Sequence, residues 1–224
     1  MKKISLIFGT RPEGIKLCPL ILAMKEHPDF EPHVCVTGQH RQMLDQVLDV
    51  FEVVPDVDLN LMQPDQTLAE LTAGAITAIN SYLANYKPDI VIVQGDTTTT
   101  FCAAIAAFYN KIPIGHLEAG LRTSNKFSPF PEKVNRILTS HIADVHFAPT
   151  ERAQKNLMKE GVEEKRIFVT GNTIIRSVET LTGAHVMATD LRFIARELLR
   201  AEHKVKIFRF QTAPDEPLHC EHEV

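Results

Sequence analysis

Short apolar runs alternate with longer amphipathic segments through most of this 224-residue chain. The alternation is typical of βαβ units, because two parallel strands need a crossover helix to connect them. The sequence therefore predicts an α/β fold, with a parallel sheet that carries helices on both faces. The apolar runs predicted to be strands are residues 4–8, 34–36, 90–93, 112–117, 145–147 and 167–169.

Helix starts and stops support this reading. Thr67 and Glu70 have the spacing of a capping box, and the segment that follows has one apolar stripe. Lys87 and Pro88 predict the end of that helix. Thr97 is predicted to cap the next helix, which runs to about Tyr109.

Composition excludes several classes of protein. The net charge is −4, so no basic field is available to hold a nucleic-acid backbone. No stretch approaches the roughly 18 consecutive apolar residues of a membrane span. The four cysteines lack CxxC spacing, which fits a reducing compartment. We therefore expect a cytoplasmic protein with no nucleic-acid partner and no membrane association.

Polar loops follow three of the predicted strands. They cover residues 9–13, 95–100 and 116–122. Parallel sheets bind ligands at the carboxyl ends of their strands, near the point where the strand order reverses. These loops are therefore where we expect the functional site.

The first loop carries two cations near a helix start, Arg11 and Lys16. Exposed N–H groups and two cations suit an anion such as phosphate. The loop has neither the GxGxxG pattern of dinucleotide-binding proteins nor the Gly-Lys-Ser/Thr of a P-loop. A solvated helix start with two surface cations is the alternative.

Three carboxylates lie in or near the other loops: Asp96, Glu118 and Glu132. Each has a simpler explanation: Asp96 as a helix cap, Glu118 as an ion-pair partner of Arg122, and Glu132 as a first-turn acid. If they converge with the two cations, they suit acid–base chemistry on a phosphorylated sugar. The sequence leaves their convergence open.

Two other groups give weaker signals. Residues 219–222, His-Cys-Glu-His, include metal-ligating side chains but have no second ligand cluster, so no metal is predicted. Gln39 and His40 follow the second strand, where they either contact a ligand or belong to a polar loop.

Seven motifs in order resemble the non-hydrolysing UDP-N-acetylglucosamine 2-epimerases of bacteria. The resemblance covers roughly residues 2–173. The motifs are FGTRPEGIKL (8–17), VCVTGQHRQML (34–44), VQGDTTTT (93–100), GHLEAGLRT (115–123), SPFPEKVNR (128–136), HFAPTERAQKNL (146–157) and FVTGNT (168–173).

The resemblance implies both a fold and a reaction. The fold is the Rossmann-like N-terminal half of a GT-B-like two-domain enzyme, with the nucleotide sugar in the cleft. The reaction interconverts UDP-N-acetylglucosamine and UDP-N-acetylmannosamine by elimination of UDP to a 2-acetamidoglucal, followed by re-addition with inverted C2. It needs no nicotinamide, so no cofactor is expected. The product feeds the synthesis of surface polysaccharides.

Carried over by motif, the resemblance also implies residue roles. Asp96, Glu118 and Glu132 are the expected catalytic residues, and their individual proton-transfer steps stay open. Arg11 and Lys16, together with Asp96 and Glu118, are the expected substrate-binding residues. Gln39 and His40 resemble residues of a regulatory substrate site in some members.

The sequence also departs from the family pattern. Lys133 and Gly14 stand where the family usually has Glu and Ala, and Arg176 stands where Asp is usual. The family's second-domain motifs, Gly-His-Arg and Asp-Ser-Gly-Gly, do not occur in the sequence. We therefore expect residues 1–173 to form the epimerase domain and residues 174–224 to be a divergent segment, not a complete domain.

These departures affect the predicted activity. The expectation is a truncated epimerase that is weakly active or inactive alone and acts on UDP-N-acetylglucosamine. The alternative is a non-catalytic module that binds nucleotide sugar or completes a split enzyme. Its protein partner would be a second copy or a separate second-domain chain. A hydrolysing epimerase or a GT-B glycosyltransferase is less favoured, because the TRPE and SPFPE motifs indicate the non-hydrolysing branch.

Overall fold

The computed structural model describes residues 1–38, 41–173 and 177. Within them, seven strands form one parallel sheet in the order β3-β2-β1-β4-β5-β6-β7. The strands are β1 Lys2–Phe8, β2 Phe30–Val36, β3 Val57–Asp58, β4 Ile90–Gln94, β5 Ile114–Leu117, β6 Val145–Ala148 and β7 Ile167–Val169.

Helices cover both faces of the sheet, as the sequence predicts. They are α1 Arg11–Lys25, α2 Arg41–Val50, α3 Leu68–Tyr86, α4 Thr98–Tyr109, α5 Glu132–Ile142 and α6 Glu151–Lys159, with a short 3₁₀ turn at Glu164–Arg166. Successive side chains of β1 enter different cores: Leu6 and Phe8 pack with α1 and α2, whereas Ile7 packs with α3 and α4. This is the period-two alternation of a strand buried on both faces.

The order of strands reverses between β1 and β4, which lie side by side with Leu6 opposite Ile92. The chain moves outward from β1 to β2 and β3, and then returns to the other side of β1 with β4. The loops that follow β1 and β4 therefore diverge from a common crevice. This crevice is the place where a ligand site is expected.

The predicted helix caps are confirmed. The Thr67 hydroxyl accepts a hydrogen bond from the Glu70 amide at 3.2 Å, and the Glu70 carboxylate accepts one from the Thr67 amide at 2.8 Å. Helix α3 ends at Tyr86, and Lys87 follows in the left-handed region with φ of 52°. The Thr97 hydroxyl accepts from the Thr100 amide and caps α4.

The sequence prediction misses some boundaries. Strand β2 begins at Phe30 instead of residue 34, because its first half includes Glu31, Pro32 and His33, which hide the apolar pattern. Strand β3 was not predicted, since two residues are too few for any pattern. The predicted segment 174–224 lies outside the described residues except for Ser177, so the domain boundary stays a prediction.

No helix in the described part of the chain has both the length and the apolar character needed to cross a membrane.

Gly120, in the turn after β5, provides a test of the fold. Its φ is +85°, and a Cβ placed there would lie 2.3 Å from the Ala153 carbonyl oxygen of α6. We expect Gly120→Ala to lower the free energy of unfolding by about 2 kcal/mol or more, because strain and overlap add. Urea denaturation followed by circular dichroism measures this loss.

Gly74→Ala is the matched control, because Gly74 lies within α3 with open space around its missing Cβ. Alanine favours a helix interior over glycine, so this change is expected to raise stability by up to about 1 kcal/mol. Equal effects of the two substitutions would contradict the close approach of α6 to the turn.

Candidate active site

A buried carboxylate, Glu13, joins the loops that follow β1 and β4. Its Oε2 accepts hydrogen bonds from the Gly9 amide at 3.0 Å, the Thr10 amide at 2.8 Å and the Thr10 hydroxyl at 2.9 Å. Its Oε1 accepts from the hydroxyls of Thr97 at 2.6 Å and Thr100 at 3.0 Å. The side chain is therefore a direct connection between the two loops at the crevice.

Two opposing effects act on the Glu13 carboxyl. Burial raises its pKa above the ordinary value, and the hydrogen bonds from Thr97, Gly9 and Thr10 lower the pKa again in part. Every partner in the contacts above is a donor, which suits a carboxylate that only accepts. Sequence reasoning assigned no role to Glu13, although Thr10 and Glu13 have the spacing of a capping box, which the structure contains.

Glu118 lies directly after β5 and contacts side chains from four other segments. Its Oε1 accepts from Lys16 Nζ at 2.7 Å and from Asn172 Nδ2 at 3.2 Å. Its Oε2 accepts from Gln94 Nε2 at 3.0 Å and lies 3.6 Å from an Arg136 guanidinium nitrogen. The φ of Glu118 is +59°, a conformation that non-glycine residues adopt only where the surrounding structure holds them.

Arg136, on α5, connects Glu118 with Asp96. The same guanidinium nitrogen that approaches Glu118 lies 2.7 Å from Asp96 Oδ2. Burial raises the pKa of Asp96, and the nearby charges of Glu118 and Glu132 raise it further, whereas the Arg136 charge lowers it. A carboxyl group whose pKa is raised in a crevice is a candidate for proton transfer.

Glu132 is the first residue of α5 and lies close enough to Asp96 for its charge to affect that carboxyl. Its Oε2 is buried and has no hydrogen-bond partner among the described residues. Buried acceptors without partners are rare, so this oxygen is unusual within the site. The structure thus gathers Lys16, Asp96 and Glu118 around Arg136, with Glu132 close to Asp96.

Several bacterial proteins are similar in sequence to this chain. A family model described as UDP-N-acetylglucosamine 2-epimerase matches residues 22–209. The chain belongs to the UDP-N-acetylglucosamine 2-epimerase family. The epimerase of Salmonella typhimurium is 56% identical over 173 residues, which are 77% of this chain and 46% of that protein. The Bacillus subtilis epimerase is 56% identical over 178 residues, which are 80% of this chain and 47% of that protein.

Solved structures of the family share the fold. The Neisseria meningitidis UDP-GlcNAc 2-epimerase, bound to UDP-GlcNAc, has a TM-score of 0.77 and 50% identity, and the match covers 81% of this chain and 50% of that one. The Methanocaldococcus jannaschii epimerase, in complex with UDP-GlcNAc and UDP, has a TM-score of 0.75 and 40% identity. The match covers 80% of this chain and 49% of that one. The predicted Rossmann-like half of a GT-B-like epimerase is confirmed.

These matches also give the extent of the resemblance. The chain spans about half the length of the curated relatives it matches. The family match extends to residue 209, beyond residue 173, where the motifs end.

Two simpler explanations of the carboxylates are wrong. Arg122 does not pair with Glu118, because its guanidinium binds Glu160 through two nitrogens at 2.7 and 2.6 Å. Asp96 does not cap α4, because Thr97 is the cap. Glu132 does lie in the first turn of its helix, as its simpler explanation states.

The remaining predicted site residues either take no part in these contacts or lie outside the described residues. Arg11 is exposed as the first residue of α1, and none of the carboxylate contacts given above includes it. Gln39 and His40 lie outside the described residues, as do residues 219–222. Within the described part of the chain, no group of three or more His, Cys, Asp or Glu residues is arranged to hold a metal ion.

Sequence reasoning also gave no role to His116, which supports the site from β5. Its side chain is fully buried, and Nε2 lies 2.8 Å from the Gly95 carbonyl oxygen in the loop before Asp96. Burial lowers its pKa to about 3, so the imidazole is neutral and Nε2 is the donor. His116 thus fixes the backbone next to Asp96.

Substitution of Glu13 tests its connecting role. Glu13→Gln places an amide –NH₂ among donors, so we expect the free energy of unfolding to fall by about 2 kcal/mol or more. Glu70→Gln is the matched control, because Glu70 holds the same capping-box position on α3 but is exposed. Thermal and urea unfolding measure both changes. A loss at Glu13 no larger than the loss at Glu70 would contradict the role of Glu13 as the connection.

Substitution of Arg136 tests the electrostatics of Asp96. Because the guanidinium lowers the pKa of Asp96, Arg136→Gln is expected to raise that pKa further above the ordinary value. An NMR titration of the Asp96 carboxyl carbon measures the shift. Lys25→Gln, an exposed cation at the far end of α1, is expected to leave it unchanged. An unchanged or lower pKa in Arg136→Gln would refute the ion pair.

Proposed function

We propose that this chain provides the acid–base half of a UDP-N-acetylglucosamine 2-epimerase site. The observation that carries the proposal is the cluster of Lys16, Asp96, Glu118 and Arg136 at the crevice between β1, β4 and β5. A neutral binding site for a sugar needs hydroxyl and amide partners, but it does not need several acids around one guanidinium. Family membership supports the choice of substrate.

The proposed reaction proceeds by elimination and re-addition. A carboxylate takes the proton from C2 of the sugar while the bond between C1 and the UDP oxygen breaks, which gives UDP and a 2-acetamidoglucal. A proton then returns to the opposite face of C2 as UDP adds to C1, and the product is UDP-N-acetylmannosamine. Because the proton leaves one face and returns to the other, the reaction needs at least two acid–base groups.

Asp96, Glu118 and Glu132 are the groups proposed for this proton traffic. The raised pKa of Asp96 allows it to hold a proton closer to neutral pH than an ordinary aspartate does. Glu118, held by Lys16 and Gln94, has a defined orientation. The buried Glu132 Oε2, which has no partner among the described residues, is proposed to accept a hydrogen bond from a substrate hydroxyl.

Cations complete the proposed substrate site. Arg11 is exposed at the start of α1, where the positive end of the helix dipole also favours an anion, so it is proposed to bind a phosphate of UDP. Lys16 is proposed to bind the substrate beside Glu118. Gln39 and His40 are proposed to line a regulatory substrate site. No cofactor takes part, and a cytoplasmic location fits a nucleotide-sugar substrate.

A second candidate is a module that binds nucleotide sugar and becomes catalytic only with a separate second-domain chain or a second copy. This candidate is considered because the chain spans about half the length of each of these relatives. Only the first candidate allows the 224-residue chain to form product alone, even at a low rate. The test therefore includes the chain alone.

The test uses UDP-N-acetylglucosamine in deuterated water. One arm contains the full chain alone, and the other a fusion of residues 1–173 to the C-terminal half of the Bacillus subtilis relative. We expect the fusion to form UDP-N-acetylmannosamine with deuterium at C2, and Glu118→Gln or Asp96→Asn to slow it by about 100-fold or more. Mass spectrometry and NMR detect the product. Product from the chain alone would favour the first candidate over the second.

Glu164→Gln is the control for these substitutions, because Glu164 is an exposed acid remote from the crevice. It is expected to leave the rate unchanged. If the fusion is active and both Glu118→Gln and Asp96→Asn retain that activity, these acids do not carry the proton transfer.

A further inference from the structure

A cavity of about 330 Å³ lies beside the carboxylate cluster, between the loop after β5, α5 and α6. Its charged and amide-bearing lining residues are Asp96, Arg122, Lys133, Arg136, Arg152 and Asn156. Four of these six are cations, and one is an acid. The volume is sufficient for a phosphate or a diphosphate group.

Two of the cations are balanced by acids. Arg122 is paired with Glu160 at 2.6 Å, and Arg136 is paired with Asp96 at 2.7 Å. These pairs contribute donors to the cavity wall but little net charge.

The other two cations have no acidic partner among the described residues. Lys133 Nζ donates to the Thr123 carbonyl oxygen, which leaves its charge unbalanced. Arg152 is exposed in the first turn of α6 and has no recorded ion pair within the described part of the chain. Once Glu160 offsets Arg122 and Asp96 offsets Arg136, the positive charges of Lys133 and Arg152 remain, and an excess of about two charges matches a dianion.

Two further features favour an anion in this cavity. The lining includes Thr150, the N-cap of the nine-residue helix α6, so the positive end of that helix dipole is at the wall. Arg136 is 91% buried, and its Nε has no hydrogen-bond partner among the described residues. Arg136 lines the cavity, and an unpaired buried donor of a lining residue is a group that a bound oxyanion can satisfy.

We propose that this cavity is a binding site for a phosphate-type dianion, with Lys133 and Arg152 as the residues that supply its net charge. The anion is either free inorganic phosphate or a phosphate group of a nucleotide. The site adjoins the carboxylate cluster through Asp96 and Arg136. It does not require the chain to catalyse epimerisation.

Calorimetric titration of the full chain with inorganic phosphate at constant ionic strength tests the site. We expect saturable binding to one site, and we expect Arg152→Gln and Lys133→Gln each to raise the dissociation constant about tenfold. Arg152→Lys keeps the charge, so its dissociation constant is expected to rise less than that of Arg152→Gln. Lys155→Gln is the matched control, because Lys155 is an exposed cation of α6 that does not line the cavity.

Absence of saturable phosphate binding to the folded chain would overturn the proposal. Binding that is equally strong in wild type, Arg152→Gln and Lys133→Gln would also overturn it, because the anion would then bind elsewhere. Titrations with UDP and uridine distinguish the source of the phosphate. If the bound phosphate belongs to a nucleotide, the affinity for UDP falls in Arg152→Gln and Lys133→Gln. Any affinity for uridine, which has no phosphate, stays unchanged in both variants. Since no readout is catalytic, failure of the proposed function leaves this test intact.

Discussion

The site depends on a buried carboxylate that joins two loops. Glu13 accepts hydrogen bonds from the loop after β1 and from the loop after β4, at the place where the strand order reverses. The two loops diverge from neighbouring parallel strands. Hydrogen bonds that joined them at the surface would compete with hydrogen bonds to water. Because Glu13 is buried, its hydrogen bonds hold the start of α1 beside the start of α4. Lys16 on α1 then reaches Glu118, and Asp96 faces α5.

Opposing electrostatic effects act on the carboxylates of the crevice, and a cluster with a purely structural role would not need them. Burial and the neighbouring acids raise the pKa of Asp96, and Arg136 acts against them. Burial of charged pairs costs about as much as their attraction returns, so clusters of this kind contribute little to stability on average. Their position at the carboxyl ends of β4 and β5, next to a basic cavity, is instead typical of a site that binds a charged substrate and moves protons.

Much of this architecture could be predicted from the sequence, for physical reasons that differ between elements. The β-branched run of β4 and the capping box of α3 are local signals, and both are confirmed. The contacts of Arg136 and Asn172 with the acids are not local, because they join segments far apart in the chain. No pattern in one sequence indicates such pairs. Glu13 lies between these two cases. Its capping box could be predicted from the sequence, but its hydrogen bonds to the loop after β4 could be found only in the folded structure. The sequence therefore singled out the three acids and Lys16, whose roles stay predictions, but it did not indicate that Arg136, Gln94 and Asn172 contact the acids.

A crystal structure of this chain with UDP-N-acetylglucosamine tests the central claim most directly, namely that the carboxylate cluster acts on the sugar ring. The account predicts that C2 of the sugar lies in the crevice, with a carboxylate oxygen of Asp96, Glu118 or Glu132 within about 3 to 3.5 Å of it, the range in which bound groups react. A sugar ring bound elsewhere, with none of the three carboxylates within contact distance of C2, would contradict it.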